Sequence, residues 1–174
     1  MAGATPNPQQ RHTLTLGLVV RDCARAIEFY KRAFGAVELM RMPSPDGKGI
    51  WHSELRIGDS TIYLNDEMPG MSKPAPSAAS PAPVTMWLGA EDCDQSYQRA
   101  MSAGATSTME PADMFWGDRV AGVADPFGYA WSFAEHQKDL SAEEMQRAGE
   151  EFSRNMSAVQ GQGMGAQDAS PASG

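Results

Sequence analysis

Leucine or valine occupies every second position from 14 to 20 in TLTLGLVV (13–20), the period of a half-buried strand. Helical spacing follows, with Ala26, Ile27, Tyr30, Ala33 and Phe34 on one face. Asp22 is placed to cap that helix and Gly35 to end it. The segment AVELMRM (36–42) predicts another strand, and Pro43, Pro45, Asp46 and Gly47 a turn after it. The strand period returns in IWHSELRI (50–57) and STIYLN (60–65), joined by the turn pair Gly58-Asp59. Together these elements predict a βαβββ unit.

The unit is written twice. VVRDCARAIEFYKRAFGA (19–36) and LGAEDCDQSYQRAMSAGA (88–105) share a strand end, Asp-Cys, a helix and Gly-Ala. Cys93 follows Cys23 by 70 positions, as Gly128 follows Gly58. The second copy predicts a strand in VTMWLGA (84–90), a helix near 92–103, a strand near 105–111 and a hairpin near 118–135. The expected fold class is α+β, with two tandem βαβββ modules forming curled mixed sheets around a cleft, plus a C-terminal helix. The first module is expected over 12–65 and the second over 84–136. Residues 66–83 carry five prolines and no periodicity, which predicts a linker. A last helix over 137–157 has Ser141 and Glu144 as a capping box, Leu140 placed to staple onto Met145, and a stripe of Met145, Ala148, Phe152 and Met156. Residues 1–11 and 158–174 are rich in Gly, Ala, Ser, Pro and Gln, and are expected to be disordered.

Charge narrows the range of partners. The 174 residues carry a formal net charge of −8 with Lys and Arg scattered, which speaks against a phosphate-backbone footprint and so against nucleic acid. No run of about 18 apolar residues exists, so no membrane span is expected, and the location expected is cytoplasmic. Cys23 and Cys93 each follow an aspartate at a predicted helix start. Such a cysteine is either a thiol activated by the helix N-terminus or a small buried hydrophobe in a reducing compartment.

The Gly58-Asp59 turn sets a register in which Glu54 opposes Tyr63, Arg56 opposes Thr61 and His52 opposes Asn65. Leu55, Ile57, Ile62 and Leu64 then face the helix, and His52, Glu54, Arg56, Tyr63 and Asn65 line the other side. His52 and Glu54 point the same way along one strand. They form a proton-transfer pair, two ligands of a displaced metal site, or part of a solvated polar face. In the second module Trp87 shares a face with Thr85, towards the cleft, and Trp116 and Arg119 flank the start of the last hairpin. Aromatic walls and a guanidinium suit a planar or anionic organic ligand. Trp116 and Arg119 read equally as a structural pair, with Arg119 in an ion pair. Trp131 and Phe133 are expected in the core against the second helix, and His12 and His136 at the surface without ligating companions.

Paired βαβββ units, VVRDCARAIEFYKRAFGA and the ending DPFGYAWSF together resemble the vicinal-oxygen-chelate superfamily, the glyoxalase, bleomycin-resistance and dioxygenase type. The resemblance covers about residues 12–136. IWHSELRIGDSTIYLND and MFWGDRVAGVADPFGYAW are most similar to its PhnB-like branch. It implies curled sheets around a cleft, with helices on the convex faces, and a homodimer. Metal-dependent members place four ligands, His and Glu, on strand positions that fall here at Thr15, Tyr63, Thr85 and Ser132. None of these is His, Glu or Asp, so no cofactor is expected at that site, and a divalent metal would need displaced ligands. Three functions remain open: a metal-independent protein that binds a small organic molecule; a lyase, an isomerase or a metalloenzyme with moved ligands, using His52 and Glu54; and an interaction module built on the last helix and open sheet edges.

Overall fold

The computed structural model describes residues 13–163, with side chains as far as residue 155. The first module holds β1 (Leu16–Val20), α1 (Cys23–Phe34), β2 (Val37–Pro43), β3 (Ile50–Ile57) and β4 (Ser60–Asp66). The second holds β5 (Thr85–Gly89), α2 (Cys93–Ala103), β6 (Thr106–Asp113), β7 (Asp118–Ala124) and β8 (Ala130–His136). A last helix, α3, runs Ala142–Gly163. The two four-stranded sheets repeat one topology, β1-β4-β3-β2 and β5-β8-β7-β6, each with one parallel pair.

Both modules fold through the same local signals. Asp22 and Asp92 accept from the third residue on, Arg25 N at 3.0 Å and Gln95 N at 2.8 Å, which satisfies one free amide of each first turn. Gly35 and Gly104 end the helices in the left-handed region, where a side chain is disfavoured. The Gly58-Asp59 turn sets the register Ile57↔Ser60, Arg56↔Thr61, Leu55↔Ile62 and Glu54↔Tyr63, as the residue pattern predicts; the paired ladder stops at Ser53↔Leu64, one step before His52. Ser141 and Glu144 form the capping box of α3, with Ser141 N donating to Glu144 Oε2 at 2.8 Å.

α1 lies against sheet 1, α2 against sheet 2, and the helices against each other. Trp131 and Phe133 are buried as expected, but they meet α1 and not only their own module's helix. Trp131 packs on Tyr30 at 5.4 Å and on Phe34 at 4.5 Å between ring centroids, and Phe133 packs on Phe34. Each such ring, fully withdrawn from water, contributes about 1.5–3 kcal/mol. The modules therefore share one apolar core.

Other expectations move. β1 begins at Leu16, three residues later than the alternation suggests, because Leu14 finds no cover and stays 86% exposed. The proline-rich connection has no helix or strand beyond a Ser77↔Ser80 bridge, yet it is tied down. Ala75 is buried, its carbonyl accepts from Arg21 and its amide donates to Glu67, and Ala82 N donates to Gly128 O at 2.9 Å. Gly128 is required there: a Cβ would lie 2.6 Å from Ser77 N. α3 meets the β6–β7 turn, where Phe152 packs on Phe115 at 5.4 Å and Gly149 lets the Phe115 ring approach. Of the predicted α3 stripe, Met145 stays largely exposed, and the Met156 side chain lies outside the described residues, as does His12.

Candidate functional site

Along β3, Ser53, Leu55 and Ile57 are buried, while His52, Glu54 and Arg56 alternate with them and are half-buried. The first set faces α1, so the second lines the opposite, open side of sheet 1. Register adds the neighbours. Tyr63 sits opposite Glu54 on β4, and on β2 Met42, Met40 and Val37 pair with His52, Glu54 and Arg56. His52 Nε2 lies 3.4 Å from Glu54 Oε1, at the long end of hydrogen bonding, with side chains 33% and 24% exposed. The Tyr63 ring stands edge-on to the imidazole at 4.9 Å. Asn65 is half-buried on the same strand face, and its amide donates to Asp66 O at 2.9 Å. An imidazole beside a carboxylate can pass or hold a proton, and the phenol, guanidinium and thioethers give a surface for a flat, polar-edged molecule.

The matching face of sheet 2 is smaller in its side chains. Trp87 pairs with Ser132, which pairs in turn with Gly122, and Thr85 pairs with Ala130. Trp87 is 57% exposed beside these small residues. Thr15 lies just before β1, and Tyr63, Thr85 and Ser132 lie on strands. Four neutral hydroxyls do not fit a divalent ion, which competes with water only through anionic or imidazole donors. Among the described residues no three His, Cys, Asp or Glu side chains are grouped to hold a metal.

For Trp116 and Arg119 the structure shows structural partners, and Arg119 faces away from the cleft. Arg119 pairs with Glu135 in register, on the same side as buried Ala121 and Phe133, so it faces α2 and not the cleft. Its guanidinium is held by Asp94 Oδ1 at 2.9 Å and Asp113 Oδ1 at 2.8 Å, hydrogen bonds that push its pKa further up. Trp116 gives its indole N–H to Asp118 Oδ2 at 3.0 Å and packs edge-on against Phe115. Of the aromatic walls expected on the second module, Trp87 is exposed and Trp116 is half-buried.

His136 is exposed but not alone. Its Nδ1 lies 3.0 Å from Asp118 and its Nε2 3.1 Å from Asp139, contacts that raise its pKa. The spacing of 18 positions to Asp118 hid this pair, although the hairpin register pairs Asp118 with His136 directly. The cysteines are both buried. Burial pushes Cys23 up to about 12, against the opposing effect of its hydrogen bond with Ser53, and Cys93 up to about 11. Each cysteine amide spends its helix-start donor on a carboxylate, Asp66 for Cys23 and Glu135 for Cys93. The activated-thiol reading is overturned, because desolvation outweighs the helix N-terminus.

Comparison with known proteins agrees with this geometry. Residues 10–133 match the Glyoxalase/Bleomycin resistance protein/Dioxygenase superfamily. The chain is 46% identical over 134 residues to the uncharacterized protein Rv0887c of Mycobacterium tuberculosis, covering 75% of this chain and 78% of that one. The crystal structure of the Arabidopsis thaliana At5g48480 product is similar at a TM-score of 0.57 and 31% identity, covering 72% of this chain and 99% of that one. TioX from Micromonospora sp. ML1 shares the fold at a TM-score of 0.59 and 24% identity, with coverage of 72% and 99%. With two βαβββ modules sharing one core and a match over most of its length, the chain belongs to the glyoxalase/bleomycin resistance protein/dioxygenase superfamily.

Proposed function

We propose that this protein binds a small organic molecule on the open face of sheet 1 without the metal of its metal-dependent relatives. The observation that carries the reading is the His52, Glu54 and Tyr63 cluster, half-buried and bordered by Met40 and Met42, on a sheet face that the protein's own helices leave uncovered. Half-buried polar groups on an apolar border select an orientation, while the thioethers adapt to shape. Binding on this face needs no metal, which is consistent with hydroxyls at Thr15, Tyr63, Thr85 and Ser132. We place the chain in the PhnB-like branch and read it as a homodimer in which a second copy covers each open face. Val37, Met40, Met42 and Trp87 are large apolar side chains left exposed on these faces, and a partner would withdraw them from water.

The alternative reading is a metal-free lyase or isomerase. It is favoured by the His52–Glu54 contact, since a carboxylate at that distance can orient the imidazole towards a bound substrate. In both readings Arg56 and Asn65 serve as polar edges of the site.

A thermal-shift screen of planar organic acids and amides tests the first reading, since a ligand stabilises the native state by mass action. Hits are expected to lose their shift in Tyr63→Ala and to keep it in Arg119→Gln, whose side chain faces α2. Hits indifferent to Tyr63→Ala and Arg56→Ala would overturn the placement. Elemental analysis finding a stoichiometric transition metal lost with His52→Ala would overturn the metal-free reading. Turnover abolished by both His52→Gln and Glu54→Gln with binding intact would select the enzyme.

A further inference from the structure

The two modules meet along two seams related by the internal repeat, and the structure fills only one. In the first seam the five-residue β7–β8 turn, Asp125 to Tyr129, sits on the first module. Phe127 packs edge-on against Phe29 at 5.9 Å and Tyr30 at 6.0 Å. The Tyr129 hydroxyl accepts from Val19 N at 3.0 Å and donates to Val19 O at 2.9 Å, closing the exposed edge of β1. The corresponding β3–β4 turn has two residues, Gly58 and Asp59, and brings no ring to the second seam. The helix differs in the same sense: at the 70-position offset Phe29 becomes Arg99 and Tyr30 becomes Ala100.

The missing rings leave a cavity of about 480 Å³. Phe34 of α1 walls it with Ile57, Ile62, Met86, Trp131 and Phe133 from the helix side of the sheets, and Trp87 borders it at the β5 edge; none of the sheet 1 residues around His52 takes part. Ser96 and Arg99 from α2, with Asp59 and Ser60, complete the rim. Arg99 is held in place by its Nε, which donates to Ala33 O at 2.9 Å at the end of α1. It forms no ion pair among the described residues.

We propose that this second seam is a binding site for a small apolar carboxylate, an aromatic or branched body seated among the rings with its head group on Arg99. The volume lies within the roughly 300–1,000 Å³ of small-ligand pockets, and ring walls with one cation at the mouth match an amphipathic acid. The guanidinium has N–H groups beyond the one given to Ala33, and a planar carboxylate takes two of them together. Seating a ring there would restore to the second seam the packing that Phe127 supplies in the first.

Methyl-resolved NMR with 4-phenylbutyrate and its neutral analogue 4-phenylbutanol tests the proposal on the full-length protein. The Ile57, Ile62 and Met86 methyls are expected to move saturably, with the acid bound about tenfold tighter than the alcohol, the size of one charged hydrogen-bond pair. Arg99→Gln, at an exposed position, should abolish that preference and leave the apo methyl spectrum intact. Equal binding of acid and alcohol, or shifts confined to Met40 and Met42 on the open face, would overturn it. So would methyl shifts on diluting the ligand-free protein, which would assign the seam to a second copy of the chain.

Discussion

The Tyr30 hydroxyl donates to Asp125 Oδ2 at 2.7 Å, joining helix α1 of one module to the hairpin turn of the other across 95 positions. Asp125 also accepts from Trp131 Nε1 at 2.9 Å, Phe127 N at 2.8 Å and Tyr129 N at 2.9 Å. A buried carboxylate is costly unless its lone pairs are filled, and here four donors fill them. The turn that ends the second module is therefore also the polar centre of the shared core.

Removing the acceptor strands all four donors, whereas removing the phenol strands one lone pair. Asp125→Ala is expected to lower unfolding free energy by on the order of 3 kcal/mol or more, and Tyr30→Phe by about 1.5–3 kcal/mol. Urea denaturation measures both. A Tyr30→Phe protein as stable as wild type would show that the modules do not depend on this link.

The buried thiols give a stability change at alkaline pH. Cys23 and Cys93 titrate at about 12 and about 11 in the fold, above the ordinary 9.0. The unfolded chain ionises first, so this contribution is complete below pH 9 and is lost as pH rises towards 11 to 12. Cys23→Ser with Cys93→Ser is expected to flatten that decline in urea midpoints. Native protein should resist iodoacetamide until urea opens it, and rapid labelling of the native state would contradict the burial.

His136 has the same direction at a lower pH. Its pKa is raised by Asp118 first, then by Asp139, so the protonated ring is the form the fold favours. The stabilisation is present below the ordinary 6.5 and fades as pH rises through the raised value. NMR titration of the His136 ring should give a midpoint above 6.5, and Asp118→Asn should bring it down. An unchanged midpoint in Asp118→Asn would mean that the contact does not persist in solution.

Much of the fold follows from local signals: alternation and turn chemistry set the β3–β4 register, and Asp22, Asp92, Gly35 and Gly104 mark the helix ends. The misses are non-local. Arg119 reads equally as a rim residue or as a structural ion pair, and only β7–β8 pairing, which puts it beside Glu135 and facing Asp94, 25 positions away, decides between them. The Asp-Pro-Phe-Gly run reads as a turn, and nothing near it announces Tyr30. The seam cavity is legible only as a difference between copies, two turn residues against five, and its volume depends on how the helices meet. The His52–Glu54 pair was legible because both residues lie on one strand at period two.

The apolar border of the open face makes assembly testable with the same side chains that frame the site. Met40 and Met42 are 37% and 48% exposed on β2, opposite Glu54 and His52, and neither contributes to the core of its own chain. If a second copy covers them, light scattering at micromolar concentration should give twice the chain mass. Met40→Glu with Met42→Glu should then give one chain mass, because two carboxylates per face cannot be desolvated against a partner. The substituted chain should keep its fold, since both positions already face water in the single chain. Loss of ligand-induced thermal shift together with the dimer would mean that the partner completes the site, and a retained shift would place the whole site on one sheet. A wild-type protein that scatters as a monomer would remove the homodimer and leave the open face to the ligand alone.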